Sequence, residues 1–311
     1  MIAQEEHQIP IPPPRYKVIN ATSINLHQTL TSIDQALDNP DVEHGLSTWI
    51  QTNIDHLEKD GKNDFNLDSN FYHFHLGYQL QSHHNEAGSG SRTSAYFSYN
   101  YGKTKYYDKE DGYQYRLISR AYNLGLTHRY DLSRTASFDF LVQGTYLDNN
   151  YRASDMTADQ SGYAAALSAR YTQAFSLSNS SSGWWLKPYV QTDYVFLHLN
   201  DFTDTKKQHM LSQNQHSLRL GVGTRAEYQG QNFSIYANAS VHHNFIQSKD
   251  LYIETSDTYE KYAESYARLG LGANVNITKA AQFYINTQYT HNLSGKKLSG
   301  YGGHLGVRYF W

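Results

Sequence analysis

From residue 46 to the C-terminus, apolar and polar side chains alternate with a period of two, the repeat of a β-strand whose faces meet different surroundings. Leu218, Leu220, Val222, Ala226 and Tyr228 share one face, against Arg219, Gly221, Gly223, Arg225 and Glu227. Phe233, Ile235, Ala237, Ala239 and Val241 oppose Ser234, Tyr236, Asn238, Ser240 and His242, and Leu269 to Ile277 repeat the pattern against Arg268, Gly270, Gly272, Asn274 and Asn276. The last residues, YGGHLGVRYFW, place Tyr301, Leu305, Val307, Tyr309 and Trp311 on one face and Gly302, His304, Gly306 and Arg308 on the other. The runs predict twelve strands, centred in 46–57, 70–81, 93–106, 116–129, 136–149, 161–175, 184–199, 215–228, 232–246, 262–277, 281–292 and 300–311.

Ahead of them, HQIPIPPPR (7–15) reads as a proline-stiffened linker. Residues 20–39 carry the one convincing helical pattern, with Ile24, Leu30, Ile33 and Leu37 near helical spacing and Pro40 as a stop. Asn20, Thr22 or Ser23 suits its N-cap. Its remaining surface is Thr, Ser, Gln and Asn, not the charged outer face of an ordinary amphipathic helix. The strand connections alternate in length. DLSRT (131–135), QGQ (229–231) and TKAA (278–281) are short, whereas 58–69, 107–115, 148–160, 201–214 and 247–264 read as long polar loops. SHHNEAGSGSR and SLSNSSSG, on the short side, are longer than that rule expects.

Alternation alone suits a soluble sandwich as well as a barrel. Composition separates them. Mean hydropathy is −0.69, yet the chain holds 28 tyrosines. Tyrosine serves where a ring must be apolar at one end and wet at the other. A transmembrane barrel needs such rings in two girdles and stays polar on average, because alternate residues face a wet lumen. In lipid an open sheet edge would leave unpaired N–H and C=O groups, so such a sheet must close and the last strand must pair with the first. The reading is therefore all-β: a 12-stranded antiparallel transmembrane β-barrel over 44–311, an N-terminal α-helix inside its lumen (20–40), and an extended linker (1–19). MIAQEEHQIP lacks a signal peptide's apolar core, so the expectation is a downstream fragment of a longer chain or a cytosolic protein, with the strands favouring the fragment.

The order and spacing of several motifs resemble the autotransporter β-domain, the translocator domain of monomeric type V secretion systems. The C-terminus matches a Gly-x-Arg-Tyr-x-aromatic pattern at Gly306, Arg308, Tyr309 and Trp311. LKPYVQTDYVFLHLNDFTD (186–204) looks like the family's middle strand, with Lys187 where an acid is usual. SLRLGVGTR (217–225) matches a basic strand, departing at Leu220 and Gly221, and STWIQ (47–51) supplies a first-strand Trp. The resemblance covers about residues 20–311 and implies a non-enzymatic translocator and anchor in the outer membrane of a Gram-negative bacterium. It also implies a passenger domain in cis, and contact with the outer-membrane β-barrel assembly machinery, periplasmic chaperones, lipid and lipopolysaccharide. The chain would be a monomer without a cofactor. Leu305, Val307, Tyr309 and Trp311 would form a C-terminal assembly signal; Trp311 equally suits a girdle. Arg170, Arg219, Arg225, Glu227, Arg268 and Arg308 would line the lumen and contact the helix, or simply be solvated there. Asn20 is a candidate for self-cleavage of the passenger, but lacks the Asn-Asn pair of the best-known cleaving subgroup and is a common cap.

Other chemistry finds little support. A net charge of −3 gives no footprint for nucleic acid. Without cysteine there is no disulfide framework or thiolate metal site. His73 and His75 share a strand face, but no third ligand has motif spacing. GVGTRA (221–226) lies inside a strand, out of context for a dinucleotide fingerprint. Two alternatives stay open: an outer-membrane barrel enzyme of protease or lipase type, using rim residues such as Asp201, Asp204 and His209, and a passive diffusion channel.

Overall fold

A computed structural model describes residues 17–19, 21–38, 46–61, 65–85, 88–109, 112–178, 183–207, 209–246, 251–253 and 263–311. Twelve long strands follow one helix, α1 (Thr22–Leu37): β1 Ser47–Asp60, β2 Phe65–His84, β3 Gly90–Asp108, β4 Gln114–Asp131, β5 Ala136–Arg152, β6 Thr157–Gln173, β7 Gly183–Leu199, β8 Gln213–Gln229, β9 Phe233–Asn244, β10 Ser265–Thr278, β11 Ala281–Asn292 and β12 Leu298–Phe310. Each pairs antiparallel with its sequence neighbours, and β12 returns to β1 in register from Leu298↔Lys59 to Phe310↔Ser47. Trp311 extends the seam, its N–H donating to the Leu46 carbonyl (3.2 Å). The sheet is a closed barrel, as alternation and composition together predict, and among the described residues no helix is long and apolar enough to cross a membrane.

The two faces separate cleanly. Leu124, Val142, Leu167, Val190, Val222, Leu271 and Leu305 point outward and are exposed. Aromatic rows border this apolar band. Phe74, Tyr99, Tyr122, Tyr146 and Tyr163 stand in register on β2 to β6. Near the other rim lie Tyr130, Phe138 and Tyr171, then Trp184 with Tyr228, then Tyr309 and Trp311 with Tyr78 (5.5 Å between the Tyr78 and Trp311 rings). From Tyr301 to Trp311 a tilted strand climbs about 25 Å, the height of an apolar barrel band. The rims also differ. Connections at 132–135, 230–232 and 279–280 join strands at one, called here the turn rim; those at 200–212 and 245–264 join them at the loop rim.

Two expectations need correction. The stretches 58–69, 107–115 and 148–160, which read as loops, are mostly strand: β1 runs to Asp60, β2 starts at Phe65, β3 ends at Asp108, β4 starts at Gln114, and β5 and β6 leave only 153–156 between them. Beyond the apolar band the apolar side changes: Phe65, Leu67, Tyr106, Leu117, Leu147 and Tyr151 point inward and are buried while the outward positions are polar, so the alternation falls out of phase although the ladder continues. The helix, in turn, has Ala21 as its N-cap with no side-chain cap hydrogen bond, so neither Thr22 nor Ser23 caps it; Asn20 and Pro40 lie outside the described residues.

Trp49, beside the seam, shows how tightly the inward face is fitted. A Cβ on Gly77 would fall 2.0 Å from its ring, whose other contacts include the Arg308 guanidinium, 4.9 Å away. Gly144 faces outward with nothing within 4 Å of such a Cβ. Gly77→Val is expected to cost about 1–3 kcal/mol by overpacking, whereas Gly144→Val costs little. Heat-modifiability on gels reads this as the temperature at which each barrel unfolds. Equal temperatures for the two variants would show that the Trp49 contact does not matter.

Candidate functional site: the helix seated in the lumen

A helix of sixteen residues is about 24 Å long, enough to run through the apolar band. α1 does so inside the barrel: all its residues except His27 are buried, and Ile24 and Ile33 have no exposed surface. Its direction is set at both ends. Ahead of it, Lys17–Ile19 pairs antiparallel with Leu251–Ile253, within the β9–β10 connection of the loop rim. The Ser23 hydroxyl accepts from Lys59, near the loop-rim end of β1 (3.1 Å). At the far end Arg170 donates to the Leu37 carbonyl (3.2 Å) and to Asp38 (2.7 Å), a cation where the helix dipole favours one. The chain therefore enters the lumen from the loop rim and ends its helix towards the turn rim.

Polar groups on α1 meet polar groups on the wall. Toward β3 to β5, Asn25 and Asn149 exchange amide hydrogen bonds (3.0 and 2.8 Å), Gln28 donates to Asn100 (2.9 Å), and Ser32 donates to Gln143 (2.9 Å) while lying 2.8 Å from the Ser98 hydroxyl. These contacts explain why a buried helix carries amides and hydroxyls: a buried polar group costs free energy unless paired. Toward β7, β8 and β10 sits one carboxylate, Asp34. Arg219 grips it with both terminal nitrogens (2.6 and 3.0 Å), Arg268 donates at 2.9 Å and Gln191 at 3.1 Å. Arg219, only 1 % exposed, also donates through Nε to Asp193 (2.7 Å), which accepts from Ser168 (2.6 Å). The spaces beside the helix are small; one of about 90 Å³ lies between Asp34, Asp38, Arg170 and Arg225, and another of about 90 Å³ beside Ser23, His27 and Leu57.

Of the six charges singled out in the sequence, Arg170, Arg219 and Arg268 reach the helix. The others bind wall groups: Arg225 donates to Asn238 (3.1 Å) and lies over the Tyr236 ring, Glu227 accepts from Lys187 (3.1 Å), and Arg308 lies over Trp49. Helix contact is thus corrected for Arg225 and Glu227, which stand on β8 nearer the turn rim than Arg219. Lys187, which departs from the family pattern, meets its acid on the next strand. His73 pairs with Asp55 (3.1 Å) and meets the Asn100 amide, while His75 stacks on Tyr96, so the two share a face without sharing a ligand. A different trio, His56, Glu58 and Asp68, brings ligand-type atoms within 4.8 Å on the outward face, where Lys297 already engages Glu58. Asp201 and His209 are 3.8 Å apart and more than half exposed on a loop-rim hairpin, without the dry, preorganised surroundings hydrolytic chemistry needs. Sequence reading missed Asp34, although it is the only acid in the helix and an ionisable group at this depth is a functional signal.

Removing Asp34 leaves Arg219 and Arg268 facing the same site without their shared counter-charge, an imbalance of about 3–5 kcal/mol. Asp34→Ala is expected to unseat the helix, raising open-pore events severalfold in planar bilayers and exposing the helix to protease. Asn25→Ala, which breaks a neutral amide pair, should do so much less. If Asp34→Ala conducts no more than the parent, the ion cluster does not hold the plug.

Known proteins give this geometry a context. The autotransporter β-domain family model matches residues 48–288, well over half of the chain. The barrel superposes on the transport unit of the autotransporter AIDA-I from Escherichia coli with a TM-score of 0.74 and 16 % identity, covering 92 % of this chain and 97 % of that one. The translocator domain of NalP from Neisseria meningitidis gives 0.70 and 15 % over 93 % and 96 %, and the β-domain of the Bordetella autotransporter BrkA gives 0.64 and 16 % over 86 % and 100 %. At such identities the likeness is one of fold. No curated protein sequence matches the chain. The family match, on a closed barrel with its helix inside, places the chain in the autotransporter β-domain family.

Proposed function

We propose that the chain is the translocator and outer-membrane anchor of an autotransporter, carrying a passenger domain in cis ahead of the helix and presenting it at the surface of a Gram-negative cell. The observation that carries the reading is the direction of α1: the chain ahead of it pairs with a loop-rim segment, while Leu37 is held by Arg170 towards the turn rim. Short turns face the periplasm in outer-membrane barrels and long loops face outward. A segment joined to residue 17 is therefore delivered outside, with the linker of 1–19 leading to it. The described lumen side chains serve as packing and seat, and the reading assigns them no chemistry on an outside substrate. Asn20, the candidate for self-cleavage, lies outside the described residues.

The C-terminus fits the same reading. Leu305, Val307, Tyr309 and Trp311 project outward along β12 beside the seam and are accessible before the barrel closes. We assign them to recognition by the β-barrel assembly machinery and its periplasmic chaperones; a girdle role for Trp311 is compatible with this. A Tyr309→Ala/Trp311→Ala chain should accumulate unfolded in the periplasm, yet show nearly the parental unfolding temperature once refolded in detergent. A large stability loss in detergent would instead make the pair purely structural.

Display is the decisive test of the translocator itself. A signal peptide and a small folded epitope are fused ahead of Gln8, and intact cells are treated with protease. The reading expects a membrane-bound, protease-sensitive epitope. A barrel that inserts while the epitope stays periplasmic would leave the diffusion channel or the barrel enzyme. Deleting 16–40 separates the channel further, since a plugged translocator then conducts far more and an open porin barely changes.

A further inference from the structure

The strand ends that extend past the upper aromatic row carry a charge arrangement with no internal explanation. Lys105 on β3, Arg116 on β4 and Arg152 on β5 face outward in direct register, Lys105↔Arg116 and Arg116↔Arg152. Neighbouring strands lie about 4.8 Å apart, so three cations are stacked side by side, and like charges directly opposite one another destabilise a sheet. Lys103, one outward position lower, adds a fourth. All four are exposed, and among the described residues none has a carboxylate within ion-pair distance. The nearest acids are committed elsewhere or too far: Asp148 pairs with Arg120 (3.1 Å), and Asp68, opposite Lys105, lies 3.8 Å from His56. The cations line a groove of about 570 Å³ with His56, Asp68, Asn70 and Ile118, four cations against one carboxylate.

The surroundings specify the counter-ion. Six residues below Lys105, Arg116 and Arg152 on their own strands stand Tyr99, Tyr122 and Tyr146, the upper border of the apolar band. At usual tilt that is about 15 Å, with Lys103 and Arg120 in between. A ligand matching this sector is an amphiphile with acyl chains beside Leu124 and Val142 and several anionic groups stacked above them. Arg and Lys in a row suit phosphate.

We infer that the β3–β5 sector binds the phosphorylated headgroup of lipopolysaccharide, the phosphate-bearing glycolipid of the outer leaflet, with Lys103, Lys105, Arg116 and Arg152 as its phosphate ligands. This rests on the outer-membrane reading above and adds a defined docking site to it. The row stands on hydrogen-bonded strands rather than on loops, so the cations are held in place before the lipid arrives, which lowers the ordering cost of binding. The site fixes which flank of the barrel faces bound glycolipid, with β2 between it and the seam strand β1.

The test uses the whole chain, folded into phosphatidylcholine vesicles, with rough lipopolysaccharide as probe, the same material stripped of phosphate as control, and inorganic phosphate as competitor. Heat-modifiability in the vesicles beforehand shows whether the barrel inserts at all. If it does not, the membrane reading itself fails, separately from this one. Given insertion, the phosphorylated probe should bind about tenfold or more tighter than the stripped one. Lys105→Gln/Arg116→Gln/Arg152→Gln should abolish that preference while inserting normally. Arg134→Gln/Lys279→Gln, at the turn rim, should retain it. Equal binding by the triple variant and the parent, no preference for phosphate, or full displacement by millimolar inorganic phosphate would each overturn the inference, the last by making the row a free-anion site.

Discussion

The structure depends on one constraint: a sheet whose outward face is apolar cannot leave an edge open. Each unpaired N–H or C=O facing hydrocarbon would cost several kcal/mol, and only closure removes both edges together. The β12–β1 seam is therefore as necessary to the fold as any core contact, and its register passes through Arg308↔Trp49 and Val307↔Ile50. Closure also holds Trp311, which is tied to Leu46 and whose ring lies against Tyr78 across the seam.

Closure creates a second problem, because twelve strands enclose a space that their own side chains do not fill. The chain fills it with α1, and the wall dictates the character of that helix. Inward positions on β3 to β5 offer Ser98, Asn100, Gln143 and Asn149, and an apolar helix would forfeit the hydrogen bonds they make to it. The polar stripe Asn25, Gln28 and Ser32 meets them, and Ile24 and Ile33 fill the remaining contacts. Helix and wall are thus complementary in hydrogen bonds more than in hydrophobic area.

How much of this could be read in the sequence follows from where the two faces differ. Between the aromatic rows one face meets an apolar environment and the other a wet or polar lumen, so the period of two is visible, and all twelve strands and the closure are legible. Above the upper row the outward face is polar and the apolar residues, Phe65, Leu67, Tyr106 and Leu117 among them, turn inward, so the pattern breaks phase. There Asp68 and Arg152 fall in stretches that read as loops although they stand on strands, and Lys105 and Arg116 sit at the ends of predicted strands whose register the sequence does not give, which hid the basic row. In the lumen, burial and charge could be anticipated for Arg170, Arg219 and Arg268. Their common target could not, because the pairing of Asp34 with Arg219 joins positions far apart in sequence and no local pattern encodes it. Arg225 and Arg219 share a face of β8, and only depth in the barrel separates the one that reaches the helix from the one that does not.

The Asp34 cluster bears on what a plug of this kind can be. Moving a carboxylate and two guanidinium groups out of water is costly, and their mutual attraction repays that only when the geometry is right. With Arg219 bidentate, Arg268 and Gln191 on the same carboxylate, and Asp193 balancing Arg219 from behind, it is right at one position of the helix. A slide of one turn, about 5.4 Å, would carry Asp34 past both arginines and break the Asn25 and Gln28 contacts as well. The cluster therefore contributes less as net stability than as a choice of register. An apolar seat would hold a helix at many depths; this one rejects every depth but one, so the polypeptide ahead of Thr22 always emerges at the same place on the loop rim.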